Sequence, residues 1–153
     1  MKPSTSGSHE KLTPEHFRKF GAGHLPGLIG VEILTVGATE VLSRLAVRPE
    51  VMAPNGFLHA ASVIALADTS CGYGCVAALP EGARGFTTVE LKANFMGTVR
   101  GGAIACRATP AHLGRTTQVW DAVVWDESRA EGAAKPIALF RCTQMVLWQN
   151  PRS

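Results

Sequence analysis

The stretch FLHAASVIALADTSCGYGCVAAL, from Phe57 to Leu79, is the one long uninterrupted apolar segment of the chain. By length alone it would cross a membrane. It contains His59, Asp68, Thr69 and Ser70, however, and a charge at bilayer depth costs at least ~2.5–3 kcal/mol with no flanking apolar sequence to compensate. As a helix from about His59 to Ala77 it is apolar nearly all round, through Ala60, Ala61, Val63, Ile64, Ala65, Leu66, Ala67 and Val76. Such a helix is buried on most sides. The economical architecture is a sheet curled around it, with no membrane as partner.

Both flanks of the helix supply that sheet. Upstream, Ile29–Val36 and Glu40–Arg48 read as strands, and the second alternates cleanly: Val41, Ser43, Leu45 and Val47 against Leu42, Arg44, Ala46 and Arg48. The breaker-rich loop Pro49–Gly56 separates them from the helix. Downstream, Phe86–Phe95, Gly102–Pro110, Thr116–Trp125 and Pro136–Trp148 are rich in β-branched and aromatic residues and divided by turn residues. In the first of these Val89, Leu91, Ala93 and Phe95 alternate with Thr88, Glu90, Lys92 and Asn94. Thr13-Pro14-Glu15 starts a short helix, His16–Phe20, that breaks at Gly21-Ala22-Gly23, and Leu25-Pro26-Gly27 is expected to turn the chain into the first strand. Strands grouped around a single long helix make an α+β fold with an antiparallel sheet. Residues 1–10 are expected to be a disordered leader, residues 11–148 one domain and residues 149–153 a polar tail.

Composition points to self-association. The chain has 153 residues, 46% hydrophobic and only 18% charged. That length supports a core without disulfide or metal staples, and so sparse a charge predicts that copies of the chain cover part of the surface, in a homo-oligomer. The net charge of +3 is spread over scattered arginines with no basic run, so no nucleic acid is expected. Cys71, Cys75, Cys106 and Cys142 lie in apolar surroundings, and Met1 to Glu10 is polar without an apolar h-region; reduced, buried thiols in a cytoplasmic protein are expected. Cys71 and Cys75 share a helix face but have no nearby His pair, so no metal site is expected.

Asp68 is the most informative residue. A carboxylate taken from water without compensation costs several kcal/mol, so inside a buried helix it is paired, neutralised by a raised pKa, or opened to a cleft. A silent helix-face Asp is one reading; a general base tuned by apolar surroundings is the other. His59 stands nine residues earlier, which on a helix is half a turn round and about 13.5 Å along. The two cannot converge on one substrate atom within a chain; either they serve separate purposes or a second subunit brings them together. The helix start adds N–H groups at Ala60, Ala61 and Ser62, aimed where a developing oxyanion would be held.

The stretch from Asn55-Gly56-Phe57-Leu58-His59-Ala60-Ala61 to Asp68 resembles the signature of hotdog-fold acyl-CoA thioesterases of the phenylacetic-acid-degradation type, in which H-G-G opens the central helix and an acid stands nine residues after the His. Gly114-Arg115-Thr116-Thr117-Gln118-Val119-Trp120-Asp121-Ala122 looks like a strand of the related 4-hydroxybenzoyl-CoA thioesterases. The resemblance spans about Leu25 to Trp148. It implies a hotdog domain that hydrolyses an acyl-CoA without a cofactor, as a dimer or a dimer of dimers. It makes Asp68 the base or nucleophile on the thioester carbonyl and Ala60 N–H the polarising donor from the other subunit, beside His59 and Ala61. Asn55 stands four residues before the His, where relatives place an amide six before; it either substitutes or only makes the turn. Gly72 replaces a hydroxyl that relatives carry four residues after the acid, and Thr88 matches a strand hydroxyl near the reaction centre. Arg100 and Arg115 are candidate partners for the CoA phosphates.

Other chemistries find less support. No G-x-S-x-G elbow occurs, Gly21-Ala22-Gly23 lacks a phosphate-loop lysine, and an apolar helix raises a thiol pKa instead of activating it. The remaining rivals are a hotdog dehydratase or isomerase acting on acyl thioesters, and a non-catalytic acyl-thioester-binding oligomer.

Overall fold

A computed structural model describes residues 12–133 and 135–149. The expected leader, residues 1–10, and the tail beyond residue 149 lie outside the described residues. The chain forms α1 (Pro14–Gly21), α2 (Leu25–Ile29), β1 (Val31–Val36), β2 (Val41–Ala46), a single 3-10 turn (Pro49–Val51), α3 (Ala60–Ala77), β3 (Ala83–Phe95), β4 (Ala103–Leu113), β5 (Thr117–Asp126) and β6 (Ala138–Trp148). One six-stranded sheet has the order β1-β2-β4-β5-β6-β3, with every neighbour antiparallel. It curls around α3, which packs against all six strands. The α+β architecture read from the sequence is the one observed.

Alternation along the strands builds the inner face. Val41, Ser43 and Leu45 of β2 are buried, as are Ile104, Cys106 and Ala108 of β4, Trp120, Ala122 and Val124 of β5, and Phe140, Cys142 and Val146 of β6. From the helix, Val63, Leu66, Cys71 and Cys75 pack into the same cluster. Gly74 is what allows Trp120 to lie against the helix, because a Cβ there would meet the indole ring at 2.5 Å. Two polar groups inside the core are satisfied: Ser43 and Ser70 hydroxyls bond at 2.6 Å, and Ser70 also donates to the Leu66 carbonyl. All four cysteines are free and buried. On the outer faces Arg44 pairs with Glu32 and Glu127, Arg107 with Glu40 and Glu131, and Arg141 with Asp121.

Several boundaries differ from the sequence reading, most by one or two residues. Leu25-Pro26-Gly27 is not a turn into a strand: it belongs to α2, with Pro26 in the first turn and Gly30 closing the helix at φ +83°, so β1 starts at Val31 and not at Ile29. Pro is as well suited to a first helical turn as to a β-turn, and the residue pattern alone does not separate the two. Strand β3 starts three residues before Phe86, and β4 continues past Pro110 to Leu113, with a register shift between Pro110 and His112 that accommodates the missing N–H. Helix α3 is also less enclosed than its all-round apolar sequence predicts. Ala60 and Ala61 are exposed, and Ile64, Ala65, Asp68, Thr69 and Val76 are only half-buried, which leaves one side partly open.

Candidate active site

The site begins where the chain enters α3. Asn55 Oδ1 accepts a hydrogen bond from Phe57 N–H at 3.2 Å, and Gly56 takes φ +83°, so these two residues turn the chain toward the helix. Of the two roles left open for Asn55, the structure displays the turn. Leu58 N–H donates to the Val99 carbonyl and His59 N–H to the Val51 carbonyl, which fixes the start of the helix against its neighbours.

His59 is the N-cap, and its Nδ1 accepts from Ala61 N–H at 2.9 Å. An acceptor Nδ1 places the imidazole proton on Nε2, the outward nitrogen. The same bond corrects the expectation of three free donors. Ala61 N–H goes to His59 Nδ1 and Ser62 N–H to the His59 carbonyl at 2.9 Å, so of the three only Ala60 N–H has no acceptor among the described residues. His59, Ala60 and Ala61 are all exposed on the protomer.

Asp68 lies on the half-open side of α3. Its Oδ1 is buried, and no described residue donates a hydrogen bond to it. Burial pushes its carboxyl pKa up, and no cation offsets that shift. Nine residues of helix separate it from His59, so the two stand about 13.5 Å apart along the axis on opposite sides. One protomer does not bring them together. Neighbouring thiols are poor nucleophiles: Cys75 and Cys106 are pushed up to about 12 by burial, and Cys71 is raised by its hydrogen bond with Cys142 and by burial. Among the described residues no group of three His, Cys, Asp or Glu side chains is placed to hold a metal.

The other sequence candidates fall in different places. Thr88 Oγ1 donates to Gln144 Oε1 at 2.8 Å on the helix side of the sheet, and it makes no bond to Asp68. Gly72 sits one turn beyond Asp68, where a Cβ would meet Phe86 Cζ at 3.0 Å; the aromatic ring fills the space beside the bare glycine. The Arg100 guanidinium lies over the Phe57 ring at 4.0 Å, beside the start of α3, and Arg115 over Trp148 at 4.4 Å. These arginines stand at opposite ends of β4, whose 11 residues span on the order of 35 Å. They cannot grip the same phosphates from one protomer, a separation already implicit in the strand Gly102–Pro110 read between them.

A cavity of about 480 Å³ opens beside Asp68, between α3, the start of β3 and the N-terminal helices. Gly72 and Val76 continue its floor along the helix, and Phe86, Tyr73, Phe20 and Pro26 enclose it. None of the enclosing four was singled out by the sequence reading. The signal available was the aromatic spacing His16, Phe17, Phe20 on α1, one face of a short helix, and its partner Tyr73 lies 53 residues from Phe20 in the chain.

Comparison with known proteins places these features among relatives. Residues 55–133, just over half of the chain, match the model of the Thioesterase superfamily. The chain is 29% identical over 118 residues to a 1,4-dihydroxy-2-naphthoyl-CoA hydrolase of Listeria monocytogenes, covering 77% of this chain and 91% of that protein. To a 1,4-dihydroxy-2-naphthoyl-CoA hydrolase of Escherichia coli it is 28% identical over 120 residues, covering 76% and 85%. The crystal structure of a thioesterase from Haemophilus influenzae superimposes with a TM-score of 0.82 at 27% identity, over 92% of this chain and 95% of that one.

Proposed function

Because the chain belongs to the thioesterase superfamily and is a thioester hydrolase of hotdog fold, we propose that it hydrolyses an acyl-CoA, with Asp68 of one subunit and the α3 start of a second subunit acting on the same carbonyl. The carrying observation is the buried, unpartnered Asp68 Oδ1 on the half-open side of an apolar helix. A carboxylate whose pKa burial has raised is a stronger base than a solvated one. Its relatives in Listeria monocytogenes and Escherichia coli, named for hydrolysis of a CoA thioester, support CoA as the thiol carrier. The stretch Asn55–Asp68 supports the narrower assignment to the phenylacetic-acid-degradation type.

In this mechanism Asp68 takes a proton from water, and the resulting hydroxide adds to the thioester carbon. The oxyanion receives hydrogen bonds from Ala60 N–H of the partner subunit and from Nε2–H of His59 of the partner subunit. Collapse breaks the C–S bond, the CoA sulfur leaves with the proton that Asp68 had taken, and the free acid remains. Arg100, whose guanidinium lies over Phe57 beside the same helix start, is the candidate partner for a CoA phosphate. The second subunit docks along β3. This 13-residue strand ends the sheet, so its outer N–H and C=O groups are unpaired, and Val89, Leu91, Phe95 and Met96 on or just after it are exposed.

The test is release of free thiol from a panel of aryl, arylacetyl and medium-chain acyl-CoAs, with enoyl-CoA hydration assayed in parallel. Turnover of at least one thioester by the native chain and its loss in Asp68→Asn are expected. A chain that binds acyl-CoA in calorimetry but releases no thiol overturns the proposal in favour of a binding protein; an Asp68→Asn variant of full rate removes Asp68 from the chemistry.

A further inference from the structure

We infer that the N-terminal helical pair α1–α2 is the acyl-selecting element of this site, with Phe20 as the residue that limits acyl length; the inference rests on the acyl-CoA reading above. The cavity beside Asp68, about 480 Å³ in volume, lies within the usual range for small-molecule sites. Its floor follows α3 from Asp68 through Gly72 to Val76, eight residues or about 12 Å of helix. With Asp68 at the carbonyl, the acyl group has the remaining floor to lie on. Apart from Asp68 and Arg84 its lining carries no charge, so the group it takes is apolar.

Phe20 reaches this cavity from the other end of the sequence and stands among other aromatic rings. Its ring stacks with His16 at 6.2 Å and meets Phe17 and Tyr73 edge-on at 6.5 and 6.2 Å. Phe17 is fully buried and stacks on Tyr73 at 4.4 Å. Glycine lets the two short helices meet closely: a Cβ on Gly27 would meet the Gly21 carbonyl oxygen at 2.7 Å, and one on Gly21 would meet Pro26 Cβ at 3.2 Å and, on α3, Tyr73 Oη at 2.8 Å. Within this aromatic cluster Phe20 remains 61% exposed. The ring meets Tyr73, five residues beyond Asp68, so it stands over the part of the floor farther from the carbonyl, where an acyl chain of increasing length runs against it. Removing the ring lengthens the space available to the chain.

Leu28, on the same helical pair and 75% exposed, does not line the cavity and serves as the control. The experiment measures kcat and KM for saturated acyl-CoAs of increasing length in the native chain, Phe20→Ala and Leu28→Ala, with melting temperatures for each. Phe20→Ala should raise the kcat/KM ratio of long to short substrates about tenfold, the discrimination one or two methylenes supply in an apolar pocket, mainly through KM; Leu28→Ala should leave it unchanged. An unchanged ratio in Phe20→Ala, or an equal shift in both variants, overturns the inference while leaving the hydrolase reading intact. A native chain inert toward every length fails the hydrolase reading instead. In that case calorimetric affinity for carboxylic acids of the same lengths still reads Phe20, with the same two outcomes.

Discussion

The Asp68 carboxylate is an expense in the free protomer, and that expense is measurable. Burial raises its pKa above the ordinary 3.8, so as pH climbs past 3.8 the unfolded chain releases a proton that the folded chain still holds. Stability therefore falls with rising pH through this window, and the full penalty is reached only above the raised value. Asp68→Asn should melt higher than the native chain at pH 8, with the gap closing toward pH 4, while thiol release drops by about 10²–10⁴. That pair of outcomes would separate the proposed catalytic role from a packing role, since loss of a packing group lowers the melting temperature. Ala60 permits an equally sharp test. It is the first residue of α3, where proline is tolerated, and His59 before it already has φ −69° and ψ 136°, the region a following proline requires. Ala60→Pro should keep the helix, by circular dichroism, and lose about 10²–10³ in kcat through the missing N–H. Both residues were legible from the sequence: a lone carboxylate in an apolar run, and a histidine at a helix start. The saturation of Ala61 N–H by His59 Nδ1 was not, because it depends on the rotamer of the cap, and neither was the tight first turn that sends Ser62 N–H to the His59 carbonyl.

Glycine placement governs how α3 meets its surroundings. Gly74 admits the Trp120 ring and Gly72 the Phe86 ring, at would-be Cβ separations of 2.5 and 3.0 Å. Gly74→Ala should destabilise by about 1–3 kcal/mol in urea unfolding, the usual cost of an overpacked core, with little effect on KM because neither Gly74 nor Trp120 lines the Asp68 cavity. The strands and the long helix were readable from periodicity, which depends on local alternation and survives without knowledge of the fold. α2 was not, since Leu25-Pro26-Gly27 satisfies turn and helix chemistry alike and its packing of Gly27 on Gly21 decides between them. The same holds for the first three residues of β3, Ala83 to Gly85, whose strand geometry comes from pairing with Leu147 and Trp148.

The molecule as a whole carries the groups proposed to act in hydrolysis on surfaces that a single copy leaves open. Asp68 lies on the half-open side of α3, His59 and Ala60 are exposed at its start, and β3 presents a free edge with Leu91 at 40% and Val89 at 58% exposure. Leu91→Lys should shift the chain toward monomer in sedimentation and reduce thiol release with it. Mixing inactive Asp68→Asn and Ala60→Pro chains should restore about a quarter of the native rate. Half of randomly paired dimers hold one of each chain, and one of their two sites then has both groups intact. A site confined to one chain would give no recovery. An apolar helix long enough to need a wrapping sheet, strands of period two, and one carboxylate too costly to bury idly follow from residue types and spacing, because each is a local property of the chain. The cavity walled by Phe20 and Phe86 and the seating of Trp120 on Gly74 arise from contacts between residues tens of positions apart. Their geometry is set by packing, and packing is not written in any one stretch.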